Sequence, residues 1–354
     1  MMHGPYPLQA LHSFKLPAFA AGYIQLHCLR DIADFCATVD LKRTHFYILG
    51  GGSNTLFVRD FPGYILHVQL PGIEVIAEKR YKVLVKAAAG VPWHQLVLFC
   101  TARGYGGIEN LSFIPGTVGG APIQNIGAYG VELKEVVDTI EAIVLATGEK
   151  VVFKAEACGF GYRTSFFKTK WQNQYLITSL TLALYKEAKY TIEYEAIQVM
   201  LAQMGVKRLS FQAISDAIIA IRKQKLPDPA VLGNAGSFFH HPLVSIAHYQ
   251  WLKQQYPSLV AFCTQDQDQI KVSAAWLIEA AGFKGVRIGH AGVYPLHALI
   301  LVNYGGATGQ DIINLATQIV QKVKRQFHIT LVPEVNIVGA TMGQYTHGNG
   351  ITSV

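Results

Sequence analysis

"ILGGGSNTLF" (residues 48–57) sets three consecutive glycines behind an apolar run and follows them with Ser53 and Asn54. The preceding "HFYIL" (45–49) reads as a buried strand, so the glycines fall where a strand opens into a loop. Successive bare residues there can turn several main-chain N–H groups into one concavity, and Ser53 and Asn54 add side-chain donors. Such a concavity suits a diphosphate. Taken alone, the triplet is better explained by a tight turn. Neither G-x-x-x-x-G-K-[ST] nor G-x-G-x-x-G after a strand occurs in the chain, which argues against a triphosphate loop and a nicotinamide-binding Rossmann domain.

Outward from this stretch, "CLRDIADFCAT" (28–38) reads as a short helix, and "GYILHVQL" and "YKVLVKAAAG" read as strands. Pro92 opens a helix with Trp93, Leu96, Val97 and Cys100 on one face, and Gly104 stops it. The following "GYGGIENLSFIPGTVGGAPIQNIGAYG" (104–130) is dense in glycine, holds Pro115 and Pro122 and keeps no period, the texture of a long functional loop. Its Gln124 and Asn125 carry amides that both donate and accept, as recognition of a heteroaromatic ring requires. Two separate glycine cradles in one half of a chain imply a single elongated phosphate-bearing ligand, and a dinucleotide cofactor is the economical choice.

Strands "TIEAIVLATG" and "YLITSLTLALY" follow, after which the texture turns helical. "LSFQAISDAIIAIRKQ" repeats apolar positions at Ile214, Ala217, Ile218 and Ile221, and "DIINLATQIVQKVKRQF" leads into a closing strand, "HITLVPEVNIVG". The pattern is α+β, with a boundary near residues 190–210.

Three further places carry reaction chemistry. Arg163 in "FGYRTSFF" is embedded among aromatics, where a guanidinium is costly unless it meets an anion; a structural ion pair is the bland alternative. Ser237 in "GNAGSFF" is a small hydroxyl on a close-approach backbone, or else a turn or cap. Glu334 in "LVPEVNIVG" sits in an apolar strand, buried with a raised pKa or facing water from an edge. No G-x-S-x-G elbow accompanies Ser237, and the adjacent His240 and His241 have no H-E-x-x-H partner, so neither a serine hydrolase nor a metal centre is expected.

The chain has 354 residues, 51% of them hydrophobic, and 30 Lys plus Arg against 23 Asp plus Glu. The basic residues are dispersed, which disfavours nucleic acid and suits small anionic ligands. Five cysteines without a C-x-x-C pair read as reduced thiols. With no long apolar run and no leader pattern, the chain is read as a soluble, cytoplasmic monomer without membrane insertion.

The set "GGGSN", "GIENLSFIPGTVGGAPIQNIGAYGVEL", "FGYRTSFF", "KLPDP", "GNAGSFF" and "PEVNIVG", in this order from about Leu11 to Gly339, resembles the UDP-N-acetylenolpyruvoylglucosamine reductase (MurB) family. The resemblance implies a two-lobed FAD-binding domain of the vanillyl-alcohol-oxidase (PCMH) type over residues 17–190, with lobes of about 17–70 and 71–190. It implies an α+β substrate-binding domain over 191–354, whose C-terminal strand returns to the active site. FAD would be held by Gly50, Gly51, Gly52, Ser53 and Asn54, by Pro115, Gly116, Thr117 and Gly120, and by Gln124, Asn125, Gly127 and Ala128. Arg163, Ser237 and Glu334 take the catalytic roles, with NADPH as reductant and a UDP-sugar as substrate. Tyr129, Tyr194, Lys225, Asn234, His241, Lys284 and His297 are the implied substrate-holding residues, Tyr194 marking the longer class with a tyrosine-bearing substrate loop. His240, His241, His297 and Asn336 depart from the family's usual residues. An oxidase of the same fold and a non-catalytic nucleotide-binding protein are the competing readings; the joint presence of Arg163, Ser237 and Glu334 opposes the second.

Overall fold

The computed structural model describes residues 2–41, 43–264 and 268–339, so the end of the expected second domain, 340–354, lies outside the described residues. The chain forms two compact units. The first comprises the N-terminal residues to Tyr6, Ala20–Gly52 and Pro62–Gln224; the second comprises Pro7–Phe19, Ser53–Phe61 and the chain from Lys225 onward.

In the first unit the strands Met2–Pro7, Phe19–Leu26, Phe61–Val68 and Phe46–Leu49 lie side by side in that order. The strand leading into the glycine triplet runs parallel to Phe61–Val68, with Leu49 opposite His67. A five-stranded sheet follows the order Lys150–Lys154, Val137–Val144, Tyr175–Tyr185, Lys82–Ala88, Ile73–Glu78. Its central strand Tyr175–Tyr185 is buried on both faces, its Thr178, Ser179 and Thr181 included among the leucines and isoleucine. Lys82–Ala88 alternates instead, turning Val83, Val85 and Ala87 inward. Helix α1 (Leu29–Thr38) is capped by Asp31, whose carboxylate accepts from the N–H groups of His27 and Cys28. Helix α2 (Trp93–Thr101) buries Trp93, Leu96, Val97 and Cys100, the face its spacing predicts.

Helices α3 (Glu195–Gln203) and α4 (Phe211–Lys225) were expected at the start of the substrate domain, but they belong to the first unit, whose last segment ends at Gln224. The reason is lateral packing. The Phe211 ring lies on the bare backbone of Gly106 and edge-on to Tyr185. Ser215 shares a buried 2.7 Å hydrogen bond with Ser112, and Thr101 donates to Gln212. Ile214, Ala217, Ile218 and Ile221 then meet Ile197, Met200 and Leu201 in a small core of their own.

The second unit holds a sheet ordered Gly233–Ser237, Ile300–Asn303, Ala291–Val293, Arg287–Ile288, and a smaller one ordered Leu243–Ser245, Gln269–Val272, Ala261–Cys263. Helices α5 (Ile246–Gln255), α6 (Ala274–Ala280) and α7 (Gly309–Phe327) complete it. A Thr308–Asp311 capping box starts α7, which buries Ile312, Ala316, Ile319, Val323 and Phe327 along one stripe. The closing strand is shorter than its sequence suggested: Asn336–Val338 pairs parallel to Thr55–Phe57, and before it Pro333 makes a single antiparallel bridge with Phe239. Pro333 sits there at the position whose N–H the bridge does not use, and Glu334 follows it outside the strand proper.

Candidate active site

The two glycine-rich stretches of the first unit approach one another closely. A Cβ on Gly51 would stand 2.9 Å from the Gly116 Cα, and one on Gly50 would stand 2.5 Å from the Thr117 Oγ1. Part of the opening triplet is therefore bare because the second stretch lies against it. Gly52 adopts φ +59°, a further reason for glycine. Among the described residues, the N–H groups of Gly51, Gly116 and Thr117 meet no acceptor within the chain. Gly120 has room on its open side and a backbone outside the left-handed region, so nothing in the chain itself demands glycine there. Unused donors beside a bare, open backbone fit an anionic diphosphate.

Of the seven described residues other than glycine in the left-handed region, three lie in the second glycine-rich stretch, Phe113 (φ 58°), Asn125 (φ 43°) and Tyr129 (φ 49°), and a fourth is Arg163 (φ 53°). Backbone strain of this kind gathers where a structure over-determines side-chain direction. The Arg163 Nη2 donates to the Gly127 carbonyl at 2.8 Å, and a Cβ on Gly127 would stand 3.2 Å from its Nη1. Gly127 is thus bare at least to admit Arg163, a use the sequence did not suggest. Asn125 also differs from expectation. It is fully buried, its Nδ2 donates to Glu132 and to the Gly161 carbonyl, and its Oδ1 accepts from the Lys134 N–H, so its amide clamps the loop rather than facing a ring. Ala128 pairs with Val131 in the short hairpin carrying Gly127.

Arg222, near the end of α4, is the residue the sequence reading missed. Its Nε donates to the Phe113 carbonyl at 3.1 Å, and its guanidinium charge acts on the Tyr129 phenol. Burial, reinforced by the charge of Arg163, lowers its pKa, while Tyr129 acts in the opposite sense. Burial likewise raises the Tyr129 phenol, with Arg222 pulling it back. Among the described residues no carboxylate pairs with Arg222. Two guanidinium groups acting on one another around a phenol can stabilise an anionic ligand group.

In the second unit Ser237 ends the strand Gly233–Ser237, half-buried, one residue after Gly236 at φ +69°. A bulge between Asn234 and Ser237 re-aims this end of the strand. The chain then continues as a ladder: the Glu334 N–H donates to the Phe238 carbonyl at 2.8 Å, and the His240 N–H donates to the Val332 carbonyl at 2.9 Å. That register puts His240 and Glu334 diagonally across one face, where the His240 Nδ1 lies 3.5 Å from a Glu334 carboxylate oxygen. The Asn54 Nδ2 donates to the Glu334 carbonyl at 3.2 Å, so one member of the opening motif braces the carboxylate-bearing segment.

The expected substrate-holding residues divide by what already occupies them. Tyr194 is 47% exposed and packs edge-on against Tyr129 at 5.9 Å. Lys225 is exposed at the end of α4. Lys284 forms a 2.8 Å ion pair with Glu279, which a phosphate would have to displace. The His241 Nδ1 accepts from the Ala274 N–H, and the His297 Nδ1 accepts from the Leu299 N–H. Asn234 departs from expectation: it is buried, its Nδ2 donates to the Pro227 and Leu232 carbonyls, and its Oδ1 accepts from the Gly236 N–H. Its amide shapes the turn before Ser237. No group of three metal-binding side chains occurs among the described residues.

A family model described as "FAD binding domain" matches residues 20–154, and one described as "UDP-N-acetylenolpyruvoylglucosamine reductase, C-terminal domain" matches residues 228–338. A UDP-N-acetylenolpyruvoylglucosamine reductase of Amoebophilus asiaticus is 46% identical over 332 residues, covering 94% of this chain and 98% of the relative. One from Pseudomonas fluorescens is 43% identical over 329 residues, covering 93% and 96%. The crystal structure of the MurB reductase from Thermus caldophilus superposes with a TM-score of 0.64 at 21% identity, covering 95% of this chain and 99% of that one, a likeness of fold. The fold together with these relatives defines an α+β, FAD-binding oxidoreductase. Within that class, the chain belongs to the UDP-N-acetylenolpyruvoylglucosamine reductase (MurB) family.

Proposed function

We propose that this chain reduces UDP-N-acetylglucosamine enolpyruvate to UDP-N-acetylmuramate with NADPH and FAD, a step of peptidoglycan synthesis. What carries the reading is relatedness along nearly the full length, 46% identity over 332 residues, to a reductase of that name. The unused N–H donors of Gly51, Gly116 and Thr117 beside the bare Gly120 would hold the FAD diphosphate, and Gly50, Gly52, Ser53, Asn54, Pro115 and Gln124 would line it. Bound there, FAD would supply hydride-transfer chemistry between NADPH and the substrate's vinyl carbon, and negative charge would develop toward the pyruvyl carboxylate.

The chain's own residues then do the rest. Arg163, oriented by the Gly127 carbonyl, binds the carboxylate, and Arg222 adds a second positive charge beside it. Ser237 delivers a proton to the carbon next to the carboxylate. A hydroxyl is a weak acid, so this role depends on its placement on the bulged strand end. Glu334, in its protonated form and with His240 beside it, donates a hydrogen bond to the developing enolate. Tyr194, Tyr129, Lys225 and Lys284 would hold the UDP moiety, and His241 and His297 would support them. The working unit is taken as a cytoplasmic monomer. Among the described residues no helix is long and apolar enough to cross a membrane.

The test is direct. Purified protein should be yellow, bleach on NADPH addition, and recover its colour when the enolpyruvyl UDP-sugar is added. A preparation that stays colourless with excess FAD would overturn the proposal.

A further inference from the structure

Asn110 lies in the short 3-10 turn Glu109–Leu111 and is fully buried, yet its sequence context, "GIENLS", gives it no assigned role. Its Nδ2 donates at 2.9 Å to the Tyr129 carbonyl and at 2.9 Å to the Thr191 carbonyl. Both hydrogens of one amide therefore join two loops lying 19 and 81 residues further along the chain. Its Oδ1 is buried without a partner. The orientation is fixed by chemistry: turning the amide over would set an oxygen against two carbonyl oxygens. A buried oxygen left unpaired is a standing cost, so the two donated bonds must matter to the arrangement they hold.

That arrangement is an aromatic pair. One carbonyl belongs to Tyr129 itself, and the other belongs to Thr191, three residues before Tyr194 caps the start of α3. The two rings meet edge-on at 5.9 Å and 84°. Between them Gly130 turns at φ +84°, where a Cβ would stand 3.3 Å from the Tyr194 ring and 3.4 Å from the Thr191 methyl. The loop carrying Tyr194 thus sits against the loop carrying Tyr129 with no spare space, and one amide sets their separation.

We propose that Asn110 is the positioning residue of the Tyr129–Tyr194 pair, holding both tyrosines in the geometry that grips the UDP-sugar. The proposal rests on the functional reading above, in which Tyr194 contacts that substrate. Asn110→Asp keeps the shape and removes both donors; Asn110→Ser is the milder variant should the carboxylate prevent folding. Each is compared with Tyr194→Ala and with the double variant in the FAD-loaded protein. Binding of the UDP-sugar is followed by titration, and flavin reduction by NADPH is followed by stopped flow.

The dissociation constant of the UDP-sugar should rise about tenfold or more in the Asn110 variant, while the rate of flavin reduction stays within about twofold. The double variant should lose less than the sum of the two single losses, because the part of the Asn110 effect that runs through Tyr194 is already gone. If Tyr194→Ala weakens binding and the Asn110 variant does not, the positioning role is wrong and the functional reading stands. If Tyr194→Ala leaves binding unchanged, that part of the functional reading falls and this proposal falls with it. Additive effects of the two substitutions would also overturn the proposal.

Discussion

The two units hold their chemically active side chains in opposite ways. In the first, Phe113, Asn125, Tyr129 and Arg163 all take left-handed backbone conformations within irregular loops, and their directions are enforced by clamps such as Asn125 and Asn110. In the second, Ser237, His240 and Glu334 are set by strand register, with one bulge and one positive-φ glycine, Gly236. Loops can bring bare main chain and guanidinium groups into one place, which binding an anionic cofactor and a carboxylate demands. A ladder fixes a hydroxyl and a carboxyl at separations that vary little, which proton delivery demands.

If that contrast is real, substitutions in the two regions should fail differently. The largest effect is expected for Ser237→Ala: NADPH should still bleach the flavin, while reoxidation by the enolpyruvyl UDP-sugar slows by about 10² to 10⁴. Equal loss of both half-reactions in stopped flow would break the division of labour. Next comes Arg163→Lys, which replaces a fork held by the Gly127 carbonyl with a point charge. It should slow the same half-reaction by about 10² to 10³, and an unchanged rate would remove Arg163 from the carboxylate.

Gly51→Ala tests the loops themselves. The added Cβ would press on the Gly116 backbone at 2.9 Å, so urea unfolding should show a loss of about 1–3 kcal/mol and the protein should shed FAD on gel filtration. Retained stability and retained yellow colour would mean that the loops can move apart freely.

The smallest effect concerns pH. Burial lowers the pKa of His12, His67 and His94; at His94 the charges of Arg222 and Lys223 add to it. A histidine whose folded pKa is depressed is protonated first in the unfolded chain. Its contribution to stability is therefore whole above about pH 6.5 and is lost as pH falls toward the folded value. The urea midpoint should decline from pH 7 to pH 5, and His94→Gln should flatten part of that slope. An unaltered slope would show that His94 is not among the groups responsible.

How much of this was legible in the residues follows from the range of each interaction. Helix faces such as Ile214, Ala217, Ile218 and Ile221 depend on local spacing, and they appear where the period puts them. The glycine loops were visible as well, though not that Gly50 and Gly51 are bare partly for each other's neighbours, Thr117 and Gly116. Arg222 was invisible because "IRKQK" looks like a solvated helix end; its meaning comes from the Phe113 carbonyl, 109 residues away. Asn125 was misjudged because an amide beside glycines could equally bind a ligand or a loop, and only its three internal partners decide. The domain boundary slipped because Gly106 and Phe211 are separated by a hundred residues of sequence yet share one surface.

The strand Thr55–Phe57 is only three residues long, all buried, and it pairs with Asn336–Val338. The first residue of α7 also rests on it: Gly309 is bare where the Phe57 carbonyl and the Val58 Cα come closest. A designer transplanting the C-terminal carboxylate-bearing segment into another scaffold would therefore need to carry this tripeptide and the opening turn of α7 along with it. An insertion anywhere in that short stretch would dislocate two parts of the molecule more than two hundred residues downstream, whereas a surface loop would absorb the same insertion.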